Sequence, residues 1–412
     1  MARSALLAPF EVRGFRFQWP ADLLTSWGIE MEILVLGWFI LAETGSVLLL
    51  TVFGSLQYVG TLIAPGFGMA GDRFGHRNVL CAMRATYAAL AMVVMVLAFM
   101  NALLPLYVLI IAGISGIVRP SDLAIRNTLV AEIMPGDRLM GAMGVSRTTS
   151  DSARIGGSLL GASMLALLGM GYAYAAITVF YLLGLGLTLA VRTASRRLPA
   201  GTKYPSFVRE VGEGLVYVWH TPRLLAAMWL AFLVNMTAFP MTSGLMPYVA
   251  KEVYHIGQTG LGSLVASFAF GGLLGSLVVS VAGRRLRAGR MMVVFALAWY
   301  SMVLIFAQMP NAAFGRPVLV LAGFAQSLSM VPMAAMLLQT SDIRFRGRVM
   351  GVRMLAIYGL PVGLLAIGFF IQWFGFRASA TAYCVFGLAV TLLIALRWRA
   401  DIWPLDAAAN GR

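Results

Sequence analysis

The stretch GMAGDRFGHR, Gly68–Arg77, sets an aspartate and two arginines among glycines, between two long apolar runs at roughly 47–70 and 79–100. Each run has the roughly 20 residues that a helix needs to cross a hydrocarbon core of about 30 Å. The charged stretch therefore reads as a short turn at a membrane surface. Working outward from it, the same alternation continues along the whole chain. The composition is 60% hydrophobic and only 11% charged, more apolar surface than a water-soluble domain of this size covers. Lipid is the principal solvent.

A spanning backbone must satisfy its hydrogen bonds internally, so the runs are helices. Twelve are read, at roughly 17–41, 47–70, 79–100, 103–131, 141–168, 172–192, 224–248, 261–283, 290–309, 314–340, 349–372 and 376–398. The one long connection, 193–223, is polar and basic. It separates an N-terminal six-helix bundle, 1–192, from a C-terminal one, 224–412. Within it VREVGEGLVYVW, 208–219, is expected to form a short amphipathic helix on the membrane surface.

Charge placement gives the orientation. Lys and Arg gather in the N-terminus, at 73–84, at 138, at 192–223, at 284–287, at 344–348 and in the C-terminal tail, in every second connection. The opposite connections hold only Lys251, Arg316 and Arg377. Both termini are thus expected on the cytoplasmic side. The net charge of +15 is a topology signal, and no nucleic-acid-binding motif accompanies it. Cys81 and Cys384 lie far apart in apolar segments and indicate neither a disulfide framework nor a metal site. The N-terminus lacks the apolar core and cleavage pattern of a signal peptide.

The two halves echo each other at an offset of about 210 residues. Glu132, Arg138, Met140 and Gly141 match Asp342, Arg348, Met350 and Gly351, and AGDRFGHR matches AGRRLRAGR, 282–290. Two matches in register read as a duplicated six-helix unit.

GMAGDRFGHR resembles the loop 2–3 signature of the major facilitator superfamily: a glycine, three residues, Asp-Arg, then a glycine and basic residues. Further stretches resemble its branch of bacterial drug and siderophore exporters. They are FRFQWPADLLTSWG (15–28), WFILAETGS (38–46), AIRNTLVAEIMPGDRLMGA (124–142), ARIGGSLLGA (153–162) and FRGRVMGV (345–352). The resemblance covers the whole chain. It implies an all-α membrane protein with twelve transmembrane helices in two pseudo-symmetric six-helix bundles, working by alternating access.

The signature stretch also has a role on physical grounds. Gly68 is expected to let two helices approach closely, and Gly75 to permit a tight turn. Asp72 is placed across cytoplasmic helix ends, where a helix N-terminus attracts a carboxylate by about 0.3–1 kcal/mol. The resemblance implies that Asp72 meets the start of span 11, at 347–350, in the outward-open state. Arg73 and Arg77 are then expected to pair with Glu132. The second copy has Arg284 where the first has Asp72, so the device is asymmetric.

A charge at the bilayer centre costs about 2.5–3.5 kcal/mol on insertion scales, which makes each one a functional candidate. Span 1 carries Asp22, Glu30 and Glu32. At about 100° per residue Glu30 and Glu32 point to nearly opposite faces. Asp22, Ser26 and Glu30 form one stripe, favoured as cavity-lining; Thr25, Gly28 and Glu32 form the other, with Gly28 indicating close helix contact. Span 4 carries Arg119, Asp122 and Arg126, and span 5 carries Arg147, Asp151 and Arg154, at matching spacing. They neutralise internally or form an inter-helix network. Asp122, beside Pro120, is a further proton-site candidate, and Arg119 or Arg154 is a candidate contact for an anionic substrate.

The sequence departs from the proton-coupled exporters at two points. Ile110 stands where many carry an arginine three residues before a glycine, here Gly113, and Gly156-Gly157 replaces the Gly-Pro often found in span 5. Spans 7 and 10 read as polar and broken. Asn235 and Thr242 share a face of span 7, which Pro240 and Pro247 interrupt, and Gln326, Ser329, Met330 and Met333 share a side of span 10. Interrupted helices at matching places often mark a transporter's site. His76, His220 and His255 form no metal cluster, and no P-loop indicates ATP hydrolysis.

These observations lead to a secondary transporter of the bacterial inner membrane, a monomer without cofactors. Its partners are a small-molecule substrate, protons and the lipid bilayer. Its expected activity is proton-coupled efflux of a drug or siderophore, and import of a small metabolite is the alternative. A membrane enzyme would need a nucleophile with a base, or a metal-ligand set, and none is seen.

Overall fold

The computed structural model describes residues 8–192, 207–282, 287–342 and 344–403, and every regular element among them is helical. A 3₁₀ turn, Ala8–Glu11, leads into α1 (Arg13–Thr44), which stops at Gly45 in the left-handed region, φ 61°. Then follow α2 (Val47–Leu56), begun by Ser46 accepting from the Leu49 amide at 3.2 Å, and α3 (Ala64–Phe74). Gly75, at φ 89° and ψ 130°, turns the chain directly into α4 (His76–Phe99), as expected for it. The chain continues through α5 (Pro105–Ile133), α6 (Gly136–Leu168), α7 (Met170–Ala190), α8 (Phe207–Trp219) and α9 (Pro222–Thr237). Next come α10 (Met246–Tyr248), α11 (Gln258–Ala282), α12 (Ala288–Gln308), α13 (Ala312–Thr340), α14 (Arg346–Ala356), α15 (Gly359–Arg397) and α16 (Arg399–Ile402).

Among the described residues nine helical stretches are long and apolar enough to cross a membrane. One of them, Arg346–Arg397, has 52 residues, which is about 78 Å of helix. Gly375, at φ 76° and ψ 169°, breaks it into two spans. The α2 and α3 segments form one further span bent by 54°. The 33-residue α6 completes the set of twelve rods; Arg138, Asp151 and Arg154 make it less apolar than the rest.

The chain divides into two compact units, Met1–Lys203 with Met246–Ala266 and Tyr204–Leu245 with Ser267–Arg412. The segment from Met246 to Ala266 thus groups with the first. There Lys251 Nζ donates to the Leu41 carbonyl at 3.1 Å, and Pro247 packs against Gly37.

Close helix contact in lipid depends on small residues, and the first unit uses them, at Gly28 as its sequence indicated and at Gly156 and Gly161 besides. A Cβ at Gly156 would lie 2.7 Å from the Trp27 ring, one at Gly161 3.0 Å from Met31 Cα, and one at Gly28 2.7 Å from the Tyr181 ring. These contacts set α6 and α7 against α1. At Gly116 a Cβ would meet the Leu56 carbonyl oxygen at 1.8 Å, so α5 touches the second span backbone to backbone. In the second unit, Gly363 of α15 rests on the Met236 carbonyl of α9 in the same way, and Trp299 and Tyr300 of α12 are fully buried.

Span 7 is interrupted as expected, by wide turns at Pro240–Gly244 and Val249–Val253. Span 10 is not: α13 runs unbroken through both Pro317 and Pro332. Each proline removes one backbone hydrogen bond; Pro317 is exposed near the helix start and Pro332 is buried within it. The helix expected near 208–219 is present as α8, but it docks on protein. Glu213 pairs with Arg348 Nη2 at 3.1 Å, and Tyr217 stacks on Phe345 at 4.4 Å, beside the start of span 11. Residues 193–206 of the central connection and Arg284 lie outside the described residues.

Candidate functional site

The first unit buries an array of charges that bridges α1, α4, α5 and α7. Asp22 of α1 is its hub. It accepts from Gln18 Nε2 at 2.7 Å, pairs with the Arg84 guanidinium, and lies 3.4 Å from Arg126 Nε. Arg84, wholly buried on α4, also donates to Thr188 Oγ1 and to the Gly184 carbonyl of α7. Arg126 of α5 donates to Ser26 Oγ at 2.7 Å and pairs with Asp122 one turn earlier. Two acids and two arginines therefore close on each other inside the protein. Burying such ions costs several kcal/mol each, recovered only when geometry and hydrogen bonds are good.

A second cluster sits further along α1. Arg119 Nη2 holds Glu32 Oε2 at 2.9 Å and its other terminal nitrogen donates to Gln57, while Tyr181 Oη donates to the same Glu32 oxygen at 2.6 Å. Glu32 is buried in this cage. Glu30, on the opposite face, is half-buried and makes no ion pair among the described residues; the positive charges acting on it are Arg154 of α6 and Arg119. The expected Asp22–Ser26–Glu30 stripe is thus divided: Asp22 and Ser26 are consumed by buried arginines, and only Glu30 stays accessible. Arg119 is likewise committed to Glu32, which leaves Arg154, half-buried, as the available cation. The side chain of Arg147 lies outside the described residues, and Asp151 is half-buried on α6.

At the signature stretch the expected pairing is corrected. Glu132 Oε1 is held by His76 Nδ1 at 2.6 Å, and the other ring nitrogen of His76 lies 3.7 Å from Asp72 Oδ1. Arg77 instead caps α7, bonding the Thr188 carbonyl at 3.3 Å and the Leu189 carbonyl. Arg73 is exposed over the Phe74 ring at 5.4 Å. Arg77 sits one residue past His76 on α4, so helix rotation carries it to a different neighbour. Gly68 is corrected too: a Cβ there would meet nothing within 4 Å, whereas one at Gly71 would lie 2.5 Å from the His76 ring. The close approach belongs to Gly71.

In the second unit the predicted polar residues are mostly satisfied locally. Asn235 Nδ2 donates to the Ala231 carbonyl at 2.8 Å, and Thr242 donates to the Ala238 carbonyl at 3.3 Å. Ser329 is not cavity-lining: it is fully buried and donates to the Met292 carbonyl at 2.8 Å. Gln326 is buried and Met330 half-buried. An apolar cavity of about 560 Å³ lies between α9 and α15, walled by Met236, Phe370, Phe374, Tyr383 and Phe386 among others. None of the residues expected from sequence lines it.

Twelve rods, a glycine-turned Asp-Arg loop and acids buried against arginines in span 1 agree with the resemblance read from sequence. The family model described as Major Facilitator Superfamily matches residues 19–359 and 228–409. The chain belongs to the Major Facilitator Superfamily. It is a multi-pass membrane transport protein and not an enzyme. A curated relative, the multidrug efflux pump Tap of Mycolicibacterium fortuitum, is 26% identical over 380 residues, covering 88% of this chain and 90% of that one. The nucleoside transporter NupG superposes with a TM-score of 0.73 at 12% identity, covering 95% and 100% of the two chains. A D-xylose–proton symporter gives 0.71 at 15%, covering 92% and 96%.

Within this superfamily chain, sequence reasoning missed Arg84, Gln57, His76 and Tyr181. Arg84 was grouped with the cytoplasmic loop charges at 73–84, although it stands eight residues inside α4, two turns from the helix start. That depth was the available signal. The position near residue 110 where an arginine was sought is exposed: Ile110 is 52% exposed, and the arginines of span 4 that meet carboxylates are Arg119 and Arg126.

Proposed function

We propose that this protein exports a small organic molecule in exchange for protons, by alternating access of two six-helix bundles. The observation that carries the reading is Glu30, an acid inside a membrane helix that faces Arg154 without an ion pair among the described residues. An acid at membrane depth with no committed cation is suited to take up and release a proton. Asp22, Glu32 and Asp122 are bound to arginines and exchange protons only if those pairs rearrange. Asp72, His76 and Glu132 act as the cytoplasmic latch that times the transition. The efflux direction follows the multidrug efflux relative. Both termini are cytoplasmic, the membrane is the bacterial inner membrane, and the working unit is a monomer.

The experiment is reconstitution in proteoliposomes with ethidium, a lipophilic cation, among a panel of probes. Saturable flux that rises with an opposing proton gradient and collapses with a protonophore is expected. Saturable flux indifferent to the gradient removes proton coupling. Accumulation in the direction of the proton gradient favours the second reading, import of a small metabolite. That reading draws on the symporter of the same fold.

A further inference from the structure

Unpaired polar atoms in the first unit are gathered around the two charge clusters. Tyr87 of α4, Ser115 and Asp122 of α5 and Tyr174 of α7 are each more than nine-tenths buried. Tyr87 Oη, Ser115 Oγ, Asp122 Oδ1 and Tyr174 Oη have no hydrogen-bond partner. Ser115, Arg119, Asp122 and Arg126 follow at intervals of four, three and four residues, which places them on one stripe of α5. Arg119 holds Glu32 and Arg126 holds Asp122. Tyr87 is buried within the fields of Asp122, Arg119, Arg126 and Glu32 together. Its ring packs 5.6 Å from that of Tyr181, the residue that donates to Glu32. Leaving a buried hydroxyl or carboxylate oxygen unpaired costs about 1–3 kcal/mol. Proteins meet that cost with internal water that makes two to four hydrogen bonds.

We infer that Tyr87, with water held by its hydroxyl, joins the carboxyl groups of Asp122 and Glu32 into one proton-exchanging system. This rests on the proton-coupled reading above. The step is balanced. Asp122 gives the proton on Oδ1 to a first water, that water passes one of its own protons to Tyr87 Oη, Tyr87 releases its hydroxyl proton to a second water, and that water hands one of its protons to a Glu32 carboxylate oxygen. One O–H bond breaks at Asp122 and one forms at Glu32, while both waters and Tyr87 end as they began. The transfer loosens the Glu32–Arg119 pair and tightens the Asp122–Arg126 pair, so proton position and helix contact are linked. The other titratable and charged groups coupled to this set are Asp22 of α1, which acts on Asp122 and Arg126 and is itself held by Arg84, Glu30 of α1, which feels Arg119 and Arg154, and Tyr174 and Tyr181 of α7 beside Arg119.

The test reads protonation and needs no substrate. Full-length protein in lipid nanodiscs is followed by pH-difference infrared spectroscopy, with the Glu32 carboxyl band identified by its loss in Glu32→Gln. Asp122→Asn is expected to move the midpoint of that band by on the order of one pH unit. In a Tyr87→Phe background, which keeps the ring and removes one oxygen, the displacement is expected to vanish. Equal displacement in both backgrounds, or a Glu32 carboxyl that never titrates, overturns the inference. Should Tyr87→Phe fail to fold, wild-type protein titrated in heavy-oxygen water decides instead. A water band that changes together with the Glu32 band supports the link, and a silent water region overturns it. Proton-driven flux is measured separately, so the link can fail while coupled transport stands.

Discussion

His76 Nδ1 lies 2.6 Å from Glu132 Oε1, tying the first residue of α4 to the end of α5. Asp72, one turn earlier in space, reaches the other ring nitrogen at 3.7 Å. An imidazole between two carboxylates makes the signature loop a three-part latch, with Gly71 bare to admit the ring. Asp72→Asn is expected to lower flux several-fold with near-normal expression, because its carboxylate is partly exposed and adds little to folding. His76→Ala is expected to lower flux as well and to reduce the melting temperature, since Glu132 loses its partner. Flux in proteoliposomes beside thermal unfolding checks both; unchanged flux in each would remove the latch.

Arg84→Met is expected to cost about 3–5 kcal/mol, because Asp22 would be left buried with part of its neutralising charge gone. Adding Asp22→Asn to that variant is expected to recover much of the loss. Thermal shift of the purified single and double variants measures the coupling, and strictly additive losses would contradict the pair.

Glu32→Gln and Glu30→Gln are expected to separate. Glu32→Gln removes the charged acceptor of both Arg119 and Tyr181, a loss of about 1.5–3 kcal/mol. Glu30→Gln leaves the melting temperature near wild type and abolishes the response of flux to a proton gradient. A full gradient response in Glu30→Gln would move the coupling site elsewhere.

The glycines of the loop are expected to differ in the same way. Gly75→Ala places a side chain at φ 89°, a strain of about 1–3 kcal/mol. Gly68→Ala has open space around it and is expected to leave stability unchanged. Comparing melting temperatures in detergent checks the pair.

Run length and turn residues specify much of the helical architecture. Hydrocarbon admits only internally bonded backbone, so twenty apolar residues between basic turns must be a spanning helix. Gly75, Gly375 and the proline-broken span 7 fall where the chain turns, breaks or widens. Gly28, Gly156 and Gly161 likewise meet a neighbour. The site was legible as a set of charges on spans 1, 4 and 5, but its pairings were not. Spacing along one helix names a face and leaves open what faces it. Rotation and depth of packing against α4 and α7 decided that Asp22 meets Arg84, that Arg119 turns to Glu32 rather than to Asp122, and that His76 rather than Arg77 takes Glu132. Lipid determines helices one at a time, through local sequence. Ion pairs between helices depend on side chains from distant segments arriving at one place, which only the packed fold specifies.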